Sequence, residues 1–463
     1  MAFAIVKRKN LYEKGVAMYL IGNGKLFTRD TERPYLENGG LIVEGNLIKE
    51  IGIFADLQKK YPDAEIIDAK NQVIMPAFIN VHNHIYSALA RGLSIKNHNP
   101  KNFLEILEGL WWNLDNHLTL ENDKASAKVT YLNCIENGVT TVFDHHASFF
   151  DTEGSLKEIA QIAKEYKIRT CLCYEVSDRN GEEEMKKAVK ENVDFINYAN
   201  EDSSDMIKGT MGLHASFTLS DETLRYVTEQ NPEGAGYHIH IAEGMADLED
   251  SLEKYGMRTV ERLHSRGILG PKTVAGHCIY IDDNEINILK ETDTMVIHNP
   301  ESNMGNAVGA PDVLKIFSKG ILIGLGTDGY TNDMLESMKV ANILQKHMHK
   351  DPNCAWGEIP TMLFENNAKI ANRFFDTPLG QLKEGYAADI IFVDYDPLTP
   401  MDENNLNSHV LFGMNGSLVT TTICNGEVLM RDRKLLHINK EEVMEESRRE
   451  AADLWMRVNA DRN

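Results

Sequence analysis

The segment Ile74-Met-Pro-Ala-Phe-Ile-Asn-Val-His82-Asn-His84 places two imidazoles one residue apart at the end of an apolar run. On an extended strand, residues i and i+2 share a face. His82 and His84 therefore aim into one space, which is what the first two ligands of a divalent metal must do. The chain has 16 histidines among 463 residues, and random placement yields roughly half a His-x-His pair in such a chain. Three pairs are present: His82/His84, His238/His240 and His347/His349. The last lies in a helical stretch, where i and i+2 diverge. The second is followed by Glu243, a carboxylate able to carry protons beside a metal.

Such a constellation needs a scaffold that gathers strand ends. From about residue 73, apolar strands alternate with helical segments, the pattern of βα units and a parallel sheet. Eight strands are expected: 73–81, 140–143, 168–174, 207–213, 236–241, 273–276, 294–297 and 322–326. Helical stretches are expected at 123–136, 154–166, 182–198 and 247–266. Eight such units indicate an α/β fold of the (β/α)8 TIM-like barrel type, whose strands deliver catalytic residues to one face from their C-terminal ends. The expected ends carry His82/His84, Asp144-His145-His146, His214, His238/His240 with Glu243, His277, His298-Asn-Pro-Glu301 and Asp328. Residues 1 to about 70 and those after about 385 read instead as short strands and turns. Gly22-Asn-Gly24 and Gly45-Asn46 are the turn signals on one side and Asn425-Gly426 on the other. The expected division is a composite β-sandwich domain from 1–72 and 383–463, ending in a charged helix over 441–459, around a barrel spanning 73–382.

A formal charge of −22 argues against nucleic acid or an anionic membrane surface as partner. No apolar stretch has transmembrane length, and the N-terminal decapeptide lacks the basic-then-apolar order of a signal peptide. The six cysteines (Cys134, Cys171, Cys173, Cys278, Cys354 and Cys424) include no Cys-x-x-Cys and are expected to be reduced and mostly buried. A cytoplasmic enzyme acting on a small molecule is the expectation.

Pro76-Ala-Phe-Ile-Asn-Val-His82-Asn-His84, His240-x-x-Glu243, His277 and Gly326-Thr-Asp328, in that order, resemble the signature of the amidohydrolase superfamily. The tail Leu379-Gly-Gln-Leu-Lys-Glu-Gly-Tyr-Ala-Ala-Asp389 is similar to that family's return into a composite β-domain. Asn299-Pro-Glu-Ser-Asn303 resembles the branch of mononuclear deaminases and chlorohydrolases. Two segments depart from the branch pattern, Met304-Gly-Asn-Ala-Val-Gly309 and Asp144-His145-His146.

The resemblance implies one divalent metal, zinc with iron as the alternative, held by His82, His84, His240 and Asp328. The ligand-x-x-Glu spacing selects His240 over His238. Metal binding lowers the pKa of a coordinated water. Asp328 would take that water's proton, Glu243 would protonate a ring nitrogen and serve the leaving group, and His277 would orient the attack. His214, Glu301, Asn303, Arg91 and His145 are candidate substrate contacts, with the Trp111-Trp112 pair as a further border. The implied reaction is loss of ammonia from an aminated N-heterocycle of the purine, pyrimidine, pterin or triazine kind. Cyclic-amide hydrolysis by the same groups and a catalytically silent metal-binding relative are the alternatives. A homodimer or higher homo-oligomer is the expected assembly.

Overall fold

The apolar run that ends at the first histidine pair serves two sheets. The computed structural model of the chain describes residues 18–460; the N-terminal decapeptide and the start of the region expected as short strands lie outside them. Residues 73–81, expected as one strand, divide at Ala77 into Val73–Pro76 and Phe78–Asn83. The first half pairs antiparallel with Ile390–Val393 and parallel with Met18–Phe27. The second half pairs parallel with Val139–His146. Ala77 N donates to Asp389 O at 3.0 Å, whereas Phe78 N donates to Gly138 O at 2.9 Å. Both halves are buried, so hydrophobicity runs unbroken across the change of partner.

Val73–Pro76 thereby joins a nine-stranded sheet built from both ends of the chain. In order across it lie Lys434–Leu435, Glu427–Arg431, Val419–Cys424, Ile390–Val393, Val73–Pro76, Met18–Phe27, Tyr35–Glu44 and Leu47–Ile53, with Glu65–Asp68 beside Met18–Phe27. Ile21, Leu26, Leu41, Ile74, Ile390, Phe392 and Ile423 form its shared core. Gly22-Asn-Gly24, expected as a turn, lies inside Met18–Phe27 at a register shift. Glycine is needed there because a Cβ on Gly22 would stand 2.9 Å from Gly39 O, and one on Gly24 would stand 2.6 Å from Gln72 O. Asn425-Gly426 does turn a hairpin, with φ of 50° and 79°.

The barrel strands form two parallel arcs. One holds Phe78–Asn83, Val139–His146, Arg169–Tyr174 and Ile207–Gly209; the other holds Met211–Ala215, Tyr237–Ile241, Thr273–His277, Met295–His298 and Ile323–Leu325. Strand four is interrupted at Thr210, whose N–H donates to Leu172 O at 3.1 Å. Parallel bridges Val176–Leu213 and Asn83–Asp328 join the arcs at both seams. The result is the eight-stranded barrel, with every C-terminal strand end on one face.

Helices pack outside the strands. Thr119 caps Leu120–Glu136 through a reciprocal bond pattern with Asn122. The stretch 247–266, expected as one helix, is two, Met245–Tyr255 and Thr259–Ser265, because Gly256 closes the first in the left-handed region at φ 65°. At the opposite end of the barrel, Asp389 of the tail pairs with buried Arg169 and accepts from Thr140 Oγ1 at 2.9 Å. This ties the composite sheet to the starts of strands two and three. Among the described residues no helix is long and apolar enough to cross a membrane. All six cysteines are free, five of them buried.

Candidate active site

Four side chains converge at the mouth from three strands. The rings of His82, His84 and His240 lie 5.0–5.2 Å apart between centroids. The outer nitrogens of His84 and His240 are fixed by the backbone. His84 Nδ1 lies 2.6 Å from His145 O, and His240 Nδ1 lies 2.9 Å from His214 O. A carbonyl only accepts, so each Nδ1 carries the hydrogen, and in the neutral ring Nε2 is a lone pair. Those two Nε2 atoms stand 3.2 Å apart. His82 Nδ1 is 2.8 Å from His238 Nε2, leaving His82 Nε2 buried without a partner. Asp328 Oδ1 lies 3.2 Å from His84 Nε2. His82, His84 and Asp328 form one group of donor atoms within 4.8 Å of one another, and His82, His240 and His277 form another. Burial, and after it the neighbouring imidazoles, holds His82 and His240 well below the ordinary histidine range.

The backbone here is unusual for residues other than glycine. Ala242, His277, Cys278 and Asp328 have φ of 48°, 70°, 52° and 54°. Positive φ at bulky residues is costly and persists where surrounding contacts impose it. The N–H groups of Thr327 and Asp328 both donate to His82 O at 3.0 Å, so strand eight bends its aspartate over the first histidine. Gly326 permits this approach: a Cβ there would lie 2.7 Å from His82 Cβ and 2.9 Å from His82 O.

Beside this cluster, His277 Nε2 faces Glu243 Oε2 at 3.5 Å and Asp328 Oδ2 at 3.6 Å. Its Nδ1 is tied to Asn303 Oδ1 at 2.8 Å. Burial, reinforced by the charge on Asp328, raises the Glu243 carboxyl well above its ordinary value. Burial would raise Asp328 as well, but His84 and His277 outweigh it and hold that group below the usual carboxylate range. Two adjacent carboxyls are thus shifted in opposite directions, one toward the acid form and the other toward the carboxylate.

A crevice opens over these groups between His84, His240, Glu243 and Asp328 below and Phe103, Leu107, Trp111 and Trp112 above. It runs on either side into chambers of about 610 and 560 Å³, the scale of small-molecule sites. His214 lines it as expected, with Nδ1 bonded to Thr218 Oγ1 at 2.7 Å. That hydroxyl donates to Ala215 O at 3.1 Å, so it accepts from His214, whose Nε2 presents a lone pair. Trp111 and Trp112 also line the crevice.

Other expected contacts are placed differently. Arg91 is exposed and borders only the outer chamber with His98. Glu301 turns away toward helix Met334–His349, where Ser337 Oγ bonds both its carboxylate oxygens at 2.9 and 3.0 Å. Asn303 is buried behind His277. His145 lies beneath the cluster, its Nε2 on Leu213 O at 2.9 Å. His146 points the other way, toward Asp123 Oδ2 at 3.4 Å.

Several side chains at the crevice were not anticipated. Glu175 and Asp115 line the crevice, joined by buried Arg179. Glu175 was findable, since it follows strand three as His82 follows strand one; Asp115 ends a short helix and had no such signal. Ser302 also reaches the crevice, as does Asn306 on the loop that departs from the branch pattern.

A (β/α)8 barrel with a histidine cluster and two oppositely shifted carboxyls at its mouth defines a class, the (β/α)8 hydrolases. The chain belongs to the amidohydrolase family, whose model matches residues 73–429. It is 34% identical to a 5'-deoxyadenosine deaminase of Methanosarcina barkeri over 96% of this chain and 100% of that one. It is 32% identical to a 5-methylthioadenosine/S-adenosylhomocysteine deaminase of Halothermothrix orenii over 90% of this chain and 95% of that one. A crystal structure of an adenosine deaminase from Xanthomonas campestris with bound zinc superposes with a TM-score of 0.83 at 19% identity, covering 95% of this chain and 98% of that one.

Proposed function

We propose that the chain is a metal-dependent aminohydrolase that releases ammonia from an aminated N-heterocycle, with adenine nucleosides first among candidate substrates. The observation that carries this reading is the convergence of unprotonated nitrogens. His84 Nε2 and His240 Nε2 face each other at 3.2 Å with their hydrogens committed elsewhere, and His82 Nε2 is buried without a partner. Lone pairs repel at that separation unless a cation lies among them. His82, His84, His240 and Asp328 would hold one zinc ion, or iron in its place. The donor set suits either metal. When bound there, the ion supplies a Lewis acid and lowers the pKa of water.

The rest follows from the chain's own groups. Asp328, ionised at neutral pH, takes a proton from the attacking water. Glu243, kept protonated by burial, gives its proton to the ring nitrogen beside the attacked carbon. That carbon gains a hydroxyl group; the Glu243 carboxylate carries the hydroxyl proton to the amino group, the carbon–nitrogen bond breaks as the carbonyl forms and ammonia leaves, and the proton held by Asp328 returns to Glu243. His277, its ring fixed by Asn303, stands between the two carboxyls and orients both. His238 buttresses His82 at 2.8 Å. The names of the relatives support deamination over ring opening.

The same reading assigns the chemistry to residues 73–382 and a supporting role to the flanks, 1–72 and 383–463. It also includes a homo-oligomer, supported by the exposed aromatic pair Trp356 and Phe412, 39% and 75% exposed with ring centroids 5.7 Å apart. The test is ammonia release from zinc- and iron-loaded protein over adenine nucleosides, purines, pyrimidines, pterins and triazines, with cyclic amides and ureas alongside. Turnover confined to cyclic amides would overturn the proposal.

A further inference from the structure

Across the crevice from the histidine cluster, two buried carboxylates share one guanidinium. Glu175 and Asp115 are 3% and 1% exposed. Arg179 Nη2 donates to Glu175 Oε1 at 2.5 Å, and Arg179 Nη1 and Nη2 both donate to Asp115 Oδ2 at 3.1 Å. The guanidinium itself is packed against aromatic faces, 4.7 Å from the Trp112 centroid and 5.1 Å from that of Phe149. It does not line the crevice, whereas both carboxylates do. Asp115 Oδ1 is buried with no hydrogen-bond partner. Glu175 Oε2 has His145 Nδ1 at 3.7 Å, beyond hydrogen-bond distance. Burial lifts Glu175 to about 7 and Asp115 to about 6, so above about pH 7 both are carboxylates and the trio carries one net negative charge.

Apart from the metal proposed at its floor, the inner crevice has no compensating cation among the described residues. Lysine and arginine are absent from its lining, and Lys101 and Arg91 occur only in the outer chambers, both exposed. His214 adds another acceptor, since its Nδ1 is committed to Thr218. A buried acceptor facing a cavity without a donor is unfavourable, and an anion placed against this wall would meet like charge in a poorly solvated setting. A donor-bearing group relieves both penalties.

We propose that Glu175 and Asp115, positioned by Arg179, determine substrate specificity. They accept hydrogen bonds from N–H or O–H groups of the substrate outside the scissile amino group, and they exclude substrates bearing a carboxylate or phosphate there. The substrate is then a neutral or cationic amino-heterocycle with further donors. This inference rests on the aminohydrolase reading above and goes beyond it by assigning charge selection to one wall of the crevice.

The test is equilibrium binding to zinc-loaded Glu243→Gln, so that turnover does not interfere. The probes are isosteric pairs: adenosine-5'-carboxamide with adenosine-5'-carboxylate, and pterin-6-carboxamide with pterin-6-carboxylate. The carboxylate of the scaffold that binds should bind at least about tenfold more weakly than its amide, the scale of one like-charge contact at intermediate dielectric. Adding Glu175→Gln or Asp115→Asn should shrink that gap at least about threefold in whichever variant keeps the parent's melting transition. Equal affinity of amide and carboxylate overturns the inference and leaves the aminohydrolase reading standing. So does a gap unchanged in the folded variants. Failure of every amide to bind overturns the heterocycle reading, and this inference with it.

Discussion

Gly326→Ala tests whether the close approach of strand eight to His82 builds the centre. The added Cβ would lie 2.5 Å from Asn299 Oδ1, 2.7 Å from His82 Cβ and 2.9 Å from His82 O. Ordinary van der Waals contact begins near 3.4 Å, so the His82 Cβ separation is about 0.7 Å short. His82 O accepts from the N–H groups of Thr327 and Asp328, so separating these elements moves a histidine and the aspartate together. Functional groups tolerate displacements of roughly 0.5 Å, and a misplacement near 1 Å costs on the order of a hundredfold in rate. The expected outcome is a kcat lower by about 10- to 100-fold, together with overpacking destabilisation of about 1–3 kcal/mol. The assay combines ammonia release, metal content per chain and calorimetric melting. A variant with one metal per chain and kcat within about twofold of the parent would refute the argument that this contact sets the ligand geometry.

Glu243→Gln should retain metal by elemental analysis while losing about 10²- to 10⁴-fold in kcat, the usual range for a general acid–base; near-parental turnover would remove Glu243 from the mechanism. Because Glu243 must be protonated and burial raises its pKa, kcat should be level at lower pH and fall as pH rises through that raised value; a rate that climbs throughout would reverse its role. Glu301, lifted to about 7 by burial, favours the folded state while protonated, and that contribution fades as pH rises from its unfolded value near 4.5 through 7. Glu301→Gln should therefore stabilise the protein at pH 8 by roughly 1–3 kcal/mol in denaturant unfolding, with kcat unchanged; a tenfold drop in kcat would mean that Glu301 reaches the substrate. Chelation should abolish turnover and lower the melting temperature, with zinc restoring both, because the bound ion stabilises only the folded cluster; an unaltered melting curve after verified metal loss would contradict the lone-pair argument.

Much of the barrel was legible because parallel strands buried on both faces read as apolar runs, and because strand ends advertise themselves with polar residues. His82, His84, His214, His240, Glu243, His277 and Asp328 were each singled out that way, and the structure gathers them at one end of the barrel. The errors have local causes. Val73–Asn83 changes sheets with no break in hydrophobicity, since both partners are cores. Gly22 and Gly24 looked like a turn because small residues mark close backbone approach inside a strand as well as bends between strands. Glu301 belonged to a promising motif, yet its side chain found Ser337 on a helix far along the chain. Glu175 was passed over because strand three ends in a carboxylate rather than a histidine.

Alternation of strand and helix, the i, i+2 pairing of histidines and their order along the chain are properties of short segments, and these the sequence by itself determined. It also limited the chemistry, because imidazoles and carboxylates at strand ends can do little else so economically as bind a metal and move protons. Which nitrogens are left bare was decided only when carbonyls of His145 and His214, on neighbouring strands, took the Nδ1 hydrogens of His84 and His240. Likewise, the opposed protonation of Glu243 and Asp328 depends on burial and on neighbours from other strands, and the acidic wall on Arg179 bridging a strand end and a distant helix. Hydrogen-bond direction, desolvation and charge pairing act between groups far apart in sequence, so only the closed barrel could settle them.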